Sequence, residues 1–375
     1  MTNPPTNPLL LDNTSAVARR AWHVAATSAE VRDEPVQVWL LGEPWVLVRL
    51  DGVVRAFPDR CPHRLAPLSA GRVTDGTLQC GYHGWRFAPD GACVEMPALG
   101  KTDRISKRAA LSAPAGVTER YGLVWLAPEH PVSPIPEFPE WEDPAYQTAL
   151  CEVVRTPASA AQLVDNFMDA SHFPFVHAET FGAGESAQVV EPGIATGDGW
   201  VATTFQTWYR TMDDPKAAAG ERPAVQRQDL FKQGFASYNV YLRLGFPDLD
   251  WTFGIMFCCR PESAEATRVY KLVARRDDLP PDAARLAAWV KDQDLITQED
   301  LGILERYPHR HIHLDRHAEL HTRADRLSLA WRGLMADACR AITQEPFATE
   351  PIAPQSSAPE SFRDAEDGFR QAGLS

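Results

Sequence analysis

Two short runs constrain this chain more than anything else in it: Cys61-Pro62-His63 and, seventeen positions beyond His63, Cys80-Gly81-Tyr82-His83, followed by Gly84-Trp85. Each sets one thiol beside one imidazole on a segment bounded by strand signals. A fold that uses them brings two loops face to face around metal. Two thiolates can hold one iron of a [2Fe–2S] cluster and two neutral imidazoles the other, an exchange of charged sulfur for neutral nitrogen that raises the reduction potential. The competing reading is a Cys₂His₂ zinc site. Zinc fingers keep their two cysteines together and their two histidines together, whereas here each half has one of each, which favours the cluster. Gly81 and Gly84 are expected to let the backbone bend close to the sulfides. Of the seven cysteines, Cys93 reads as a packing residue, and the adjacent Cys258 and Cys259 read as strand neighbours pointing to opposite faces. An odd count without a secretory start does not read as a disulfide framework.

Around these runs the residues are β-branched and aromatic. Val36–Leu41, Trp45–Leu50 and Val53–Phe57, punctuated by Gly42-Glu43-Pro44 and Asp51-Gly52, predict strands joined by tight turns. Asp75-Gly76 and Asp90-Gly91 repeat the hairpin signal, and Tyr121–Leu126 adds a strand. Residues 20–128 thus read as a small all-β domain, after an N-terminal segment of residues 1–19. Six prolines from Pro128 to Pro144 predict a stiff linker over residues 129–149. Residues 150–345 read as a second domain. It has a helix over Ser159–Ser171, strands at Trp200–Tyr209, Ser237–Leu244, Trp251–Cys259 and Arg268–Ala274, and closing helices over Pro281–Leu304 and Ala324–Ile342. Grouped strands with helices at the edges, here an antiparallel sheet flanked by helices, make the fold α+β. Residues 346–375 show no periodicity and are expected to form a disordered tail. Gly182–Ala187 has the spacing of a dinucleotide fingerprint, but no strand precedes it, so it is set aside.

The first helix of the second domain carries Asn166-Phe167-Met168-Asp169-Ala170-Ser171-His172, then Phe173-Pro174-Phe175-Val176-His177. Asn166, Asp169 and His172 are three apart and lie close to one helical face. Pro174 is expected to end the helix and swing His177 back toward His172. Two imidazoles and one carboxylate on a face leave positions open for dioxygen and substrate, the ligand set of non-haem iron(II) oxygenases. Two histidines at a helix end are, alone, as easily surface or capping residues. His309, His311 and His313 alternate near Arg310 and read as a polar connecting segment.

Taken together, the paired Cys-x-His and Cys-x-x-His and the Asn-x-x-Asp-x-x-His-x₄-His run resemble the two metal motifs of the Rieske non-haem iron oxygenases. Residues 317–327 resemble the C-terminal region of the vanillate O-demethylase-like group. The resemblance implies one [2Fe–2S] cluster, with Cys61 and Cys80 on the inner iron and His63 and His83 on the outer, and one mononuclear Fe(2+) on His172 and His177. It also implies a third iron ligand, a carboxylate far downstream on a long helix. In Lys291–Glu299 the family's pattern of aspartate with glutamate five residues later selects Asp294, with Asp292 and Asp300 as rivals. Asp169 is implied to bridge His172 to a cluster histidine of a neighbouring subunit in a homotrimer, with Asn166 near the iron. The implied activity is that of a terminal oxygenase that monohydroxylates or demethylates a small organic substrate with O₂. No flavin or nicotinamide site is legible, so electrons are expected from a separate reductase or ferredoxin. Two rival readings are a cis-dihydroxylating arene dioxygenase and a Rieske electron carrier.

Composition sets the outer limits. A net charge of −13 argues against nucleic acid, whose phosphates call for a basic footprint. No apolar run reaches membrane-spanning length, and the start lacks the pattern of a secretory signal, so a cytoplasmic enzyme is expected. The second domain is rich in aromatic residues, among them Phe205, Trp208, Tyr209, Tyr238, Tyr241, Trp251, Phe253 and Trp289. Most are expected to fill its core. Trp289, a turn or so before Asp294, is expected to wall a pocket.

Overall fold

The structure is a computed structural model that describes residues 9–100, 105–184 and 193–344. In chain order the elements are β1 (Leu10–Leu11), α1 (Ala16–Arg19), β2 (His23–Thr27), β3 (Val36–Leu40), β4 (Glu43–Leu50), β5 (Val53–Pro58), β6 (Arg72–Thr74), β7 (Thr77–Gln79), β8 (Arg86–Phe87), β9 (Cys93–Glu95), β10 (Gly116–Arg120) and β11 (Leu123–Ala127). They continue with α2 (Pro139–Glu142), β12 (Gln147–Leu150), β13 (Val154–Thr156), α3 (Ala160–Met168), α4 (Phe173–Val176), β14 (Gly193–Gly197), β15 (Trp200–Arg210), α5 (Pro215–Ala218), β16 (Val225–Phe235), β17 (Asn239–Phe246), β18 (Trp251–Ser263), β19 (Ala266–Arg276), α6 (Ala283–Leu304), β20 (Ile312–His313) and α7 (Arg326–Gln344). The expected disordered tail lies outside the described residues.

The N-terminal half is built of small antiparallel sheets, β3-β4-β5, β6-β7-β8-β9 and β10-β11-β2. Its hairpins turn where the sequence marks them. Asp51-Gly52 and Asp75-Gly76 have positive φ at both positions (51° and 80°; 47° and 68°), the geometry that matches a two-residue turn to the strand twist. The C-terminal half is an eight-stranded antiparallel sheet in the order β12-β19-β18-β17-β16-β15-β14, with β13 also paired to β19. One face carries α3, α6 and α7, with Val240, Phe257 and Cys259 in one cluster with Leu301 of α6 and, further along, Leu242 and Ile255 in another with Trp289 of α6. The other face, with Tyr241, Met256 and Cys258, packs on Leu123 and Trp125 of β11. Cys258 and Cys259 thus face opposite sides, as read from the sequence.

Two features of the organisation go beyond the sequence reading. The proline-rich stretch, expected as a stiff linker, is packed along its length: Ile135 and Phe138 are buried between β11 and the large sheet, and the Tyr241 hydroxyl donates to Glu140 at 2.8 Å. Its prolines are interleaved with apolar side chains, and burying those outweighs extension. The N-terminal segment joins the C-terminal half. Leu10 and Leu11 pair with His313 and Ile312, and the Asn13 amide donates to Ser263, Ala266 and Thr267 while its carbonyl accepts from the Ala160 backbone.

Candidate active site

The first metal motif sits on two loops, between β5 and β6 and between β7 and β8. Cys61 and Cys80 are each 2% exposed, while His63 and His83 are exposed. The two imidazole centroids lie 4.5 Å apart, and Trp85 stacks on His63 at 4.6 Å. Backbone bonds tie each loop shut: Cys61 N to Ala66 O and Cys80 N to Trp85 O, both 2.8 Å. Burial pushes the Cys61 thiol up to about 11, against the His63 backbone N–H, with the Cys80 sulfur beside it. Two buried sulfurs held together are costly as free thiolates, a cost that binding to iron offsets. Among the described residues only the second site gathers three such donor atoms within 4.8 Å. The wider spread of these four donors suits two irons rather than one zinc. A Cβ on Gly81 would meet Ala70 O at 2.5 Å, so that glycine admits the neighbouring loop, and Gly84 turns the chain at φ 72°.

The second motif departs from its predicted helix. Ser159 caps α3 in a reciprocal box with Gln162, but the helix stops at Met168. Asp169 is extended and its carboxylate accepts from the Ser171 and His172 backbone N–H groups at 2.9 and 3.1 Å. Asp and Ser side chains compete in this way with helix hydrogen bonds. Pro174 then begins a single turn, α4, instead of ending a helix. His172 and His177 stand at its two ends, with ring centroids 5.2 Å apart.

The third member of this group is Asp300 of α6. Its Oδ1 lies 3.4 Å from His172 Nε2 and 3.2 Å from His177 Nε2. Asp294, selected from the sequence, is not brought there; its Oδ1 accepts from the Glu152 backbone N–H at 2.9 Å. The reason is helical phase. The buried stripe of α6 runs through Gln293, Ile296, Thr297, Leu301 and Leu304. Asp300 lies within that stripe, and the six residues back to Asp294 turn it about 120° from Asp300 and carry it roughly 9 Å along the axis. Asp292 is also absent from the group.

The far nitrogens explain what the three donors are for. His172 Nδ1 donates to Asp169 Oδ2 at 2.8 Å and His177 Nδ1 to Glu299 Oε2 at 2.7 Å; Glu299 also accepts from Thr180 Oγ1 at 2.8 Å. With the protons fixed on Nδ1, both Nε2 lone pairs point at Asp300 Oδ1, a buried oxygen with no hydrogen-bond donor. Three acceptors facing one another repel unless a cation sits among them, and two histidines with one carboxylate fit ferrous iron. Burial opposes the charge of Asp169, yet the His172 Nδ1–H bond holds its carboxyl well below the usual range. Glu299 was legible in sequence only as a spacing mark.

A cavity of about 70 Å³ opens on this group. Its walls include Asn166, Phe167, Phe173, Phe181, Leu242 and Ile255, and also two lysines, Lys232 and Lys271, that sequence reasoning passed over. Trp289 does not line it. That indole is 1% exposed and packs on Phe253 at 5.3 Å and under Arg275. Asp169 opens instead onto an outer cleft of about 520 Å³, with His309, His311, His313, Glu319 and Arg332 around it.

Comparison with known proteins agrees with both halves. Residues 21–112 match the Rieske [2Fe-2S] domain, and residues 156–341 match the vanillate O-demethylase oxygenase C-terminal domain. The chain is 29% identical over 311 residues to the methylxanthine N3-demethylase NdmB of Pseudomonas putida, covering 80% of this chain and 83% of that one. It is 41% identical over 164 residues to the dicamba O-demethylase oxygenase component of Stenotrophomonas maltophilia, 42% of this chain and 47% of that one. The solved structure of Pseudomonas putida CBB5 NdmB superposes with a TM-score of 0.73 at 26% identity, over 89% of this chain and 98% of that one.

Proposed function

We propose, for a chain that belongs to the Rieske oxygenases as an alpha subunit with a vanillate O-demethylase-type C-terminal domain, the removal of an N- or O-methyl group from a small aromatic substrate, or its monohydroxylation, with electrons from a separate reductase. The observation that carries this reading is the convergence of His172, His177 and Asp300 at one wall of a mostly apolar cavity. Iron held there supplies dioxygen activation, and a cluster held by Cys61, His63, Cys80 and His83 supplies single electrons. Asp169 and Glu299 keep the imidazole lone pairs turned inward. Phe167, Phe173 and Phe181 exclude water and offer faces to a ring. The cavity is smaller than the ~150 Å³ that admits benzene, so a ring enters by displacing part of this aromatic wall.

Asp169 faces the outer cleft while its partner His172 faces the inner cavity. This supports a ring of three subunits in which the exposed His63 and His83 end of one chain docks in that cleft on the next. Leu65 and Tyr82, 70% and 64% exposed beside those histidines, suit such a contact. All seven cysteines are free, which suits a cytoplasmic setting, and among the described residues no helix is long and apolar enough to cross a membrane.

The test is iron content with turnover. An oxygenase holds about three irons per chain when loaded and an electron carrier two. With a surrogate reductase, O₂ uptake on methoxy- or N-methyl arenes should yield formaldehyde, and His172→Ala should abolish it while the cluster's visible spectrum persists. Two irons per chain, or turnover surviving His172→Ala, would overturn the reading; a cis-diol product would move it to dihydroxylation.

A further inference from the structure

The alternating histidines of the segment after α6 serve neither metal motif, yet the fold gathers them. His309, His311 and His313 are two residues apart, so on an extended chain their side chains share one side, while Ile312 between them joins the core with Leu11 and Leu304. A straight strand would carry His313 roughly 13 Å from His309. Their ring centroids are 6.5 Å apart, and His311 stands 4.7 Å from His309 and 5.2 Å from His313. The segment bends and brings three imidazoles together. Three elements hold that bend: Gln162 Nε2 of α3 donates to His309 O at 3.0 Å, Arg332 of α7 donates to His313 O at 3.1 Å, and Ile312 pairs with Leu11 of β1.

These rings are half-buried, and among the described residues no group hydrogen-bonds a nitrogen of any of the three. A fourth imidazole on the same outer cleft, His321, has a buried Nε2 with no hydrogen-bond partner. Burial and the two neighbouring rings pull His311 below its ordinary value, so at neutral pH it keeps the lone pair that a metal needs. Charge in the cleft suits a cation: Asp165, Asp169, Glu319 and Asp325 are set against one arginine, Arg332. The spacing suits a single ion. An ion ~2.1 Å from each Nε2 sets ring centres roughly 4.5–6.5 Å apart, according to the angle between the ligands. As the rings stand, their three nitrogens do not all lie within 4.8 Å of one another. The Cβ–Cγ torsion of histidine is soft, and turning a ring about it swings the nitrogens while the ring centre stays almost in place.

We infer that the outer cleft holds a further metal site, in which His309, His311 and His313 bind one divalent transition ion of the zinc class. Imidazole donors select such ions over magnesium and calcium, which take oxygen ligands. Three imidazoles leave a fourth position open toward the cleft. The site shares no ligand with the His172, His177 and Asp300 group, so the two can be loaded separately.

Zinc binding to the assembled, iron-loaded protein tests this. Calorimetric titration with Zn(2+) should show one site per chain, with no iron released and the cluster's visible spectrum unchanged. Mg(2+) should bind about a hundredfold more weakly or not at all. His311→Ala should weaken zinc about tenfold or more, and replacing His309, His311 and His313 together with alanine should remove the site. Should that triple variant fail to fold, zinc K-edge absorption of the wild-type adduct decides, because imidazole ligands give a multiple-scattering pattern that thiolates and carboxylates do not. Uptake of zinc only in exchange for iron, unchanged affinity in the triple variant, or a zinc shell of sulfur or carboxylate oxygen would overturn the inference.

Discussion

Glu299 is the residue whose removal best tests whether the histidines are organised as ligands. Its Oε2 accepts from His177 Nδ1 at 2.7 Å and from Thr180 Oγ1 at 2.8 Å, with 2% of the His177 side chain and 15% of its own exposed. In Glu299→Gln an acceptor oxygen remains but the charge is gone. A charge-assisted hydrogen bond is roughly twice as strong as a neutral one, so about 1–1.5 kcal/mol of support for the Nδ1–H tautomer is lost, about tenfold in ferrous affinity. In Glu299→Ala the acceptor goes as well. The imidazole can then place its proton on Nε2, 3.2 Å from Asp300 Oδ1, and a protonated Nε2 cannot bind metal. Loss toward the upper end of the 10–100-fold range known for such outer partners is expected. The assay is equilibrium dialysis of Fe(2+) into protein stripped at the mononuclear site by a chelator, with the visible spectrum confirming an intact cluster. Wild-type affinity in Glu299→Ala would refute the assignment of the histidine lone pairs to a metal.

Further outcomes follow from other sites. Asp300→Asn should lower total iron from about three to about two per chain with the cluster spectrum unchanged, whereas Asp294→Asn should keep all three; metal analysis of the two variants decides between them. His23 is buried, its Nε2 lies 2.7 Å from Ala18 O, and burial, opposed by that bond, pulls it down to about 4. The unfolded chain therefore binds the proton first, near 6.5, so this stability is present above 6.5 and is lost as pH falls toward 4. Between pH 7 and 5 the loss is about 2 kcal/mol, seen as a drop in urea midpoint that His23→Gln should remove. Phe138, fully buried against Tyr241 and Tyr121, joins the two halves; Phe138→Ala should cost about 3–5 kcal/mol, and calorimetry should show whether one melting transition splits into two.

Where a segment's own chemistry decides its structure, the sequence was enough. The tight turns, the strand with Cys258 and Cys259 on opposite faces, and the ends of α6 all follow from local pattern. The failures are places where tertiary context decides. β16 has no counterpart among the predicted strands: Gln226, Gln228, Lys232 and Gln233 break its apolar pattern, yet all four are buried. Their environment is a sheet whose far strands lie tens of residues away. Asp300 lost to Asp294 because a spacing rule was applied without the phase of the helix, although the apolar residues Ile296, Leu301 and Leu304 mark its inner side. The break after Met168 was legible in principle, since Asp169 and Ser171 offer the backbone an alternative to the helix. The lysines were not, because a lysine on a strand reads as a solvent-facing position unless the strand is known to be covered.

The wall between cavity and cleft shows why these residues work as one unit. Asp169 and His172 form a pair 2.8 Å across, with one member on each side. A shift in Asp169 therefore turns His172 as well. Asp169 is held from behind by α3, and α3 is held by Asp165, whose carboxylate receives two bonds from Arg332 of α7, at 2.8 and 2.7 Å. Arg332 also donates to His313 O of β20 and to Glu319 at 3.1 and 3.0 Å, so the rim of the outer cleft and the helix that positions the inner ligand share one guanidinium. A neighbour docking in that cleft would press on the same network that sets the imidazole. In the proposed ring of subunits, the contact that brings electrons near would thus bear directly on the geometry that receives them.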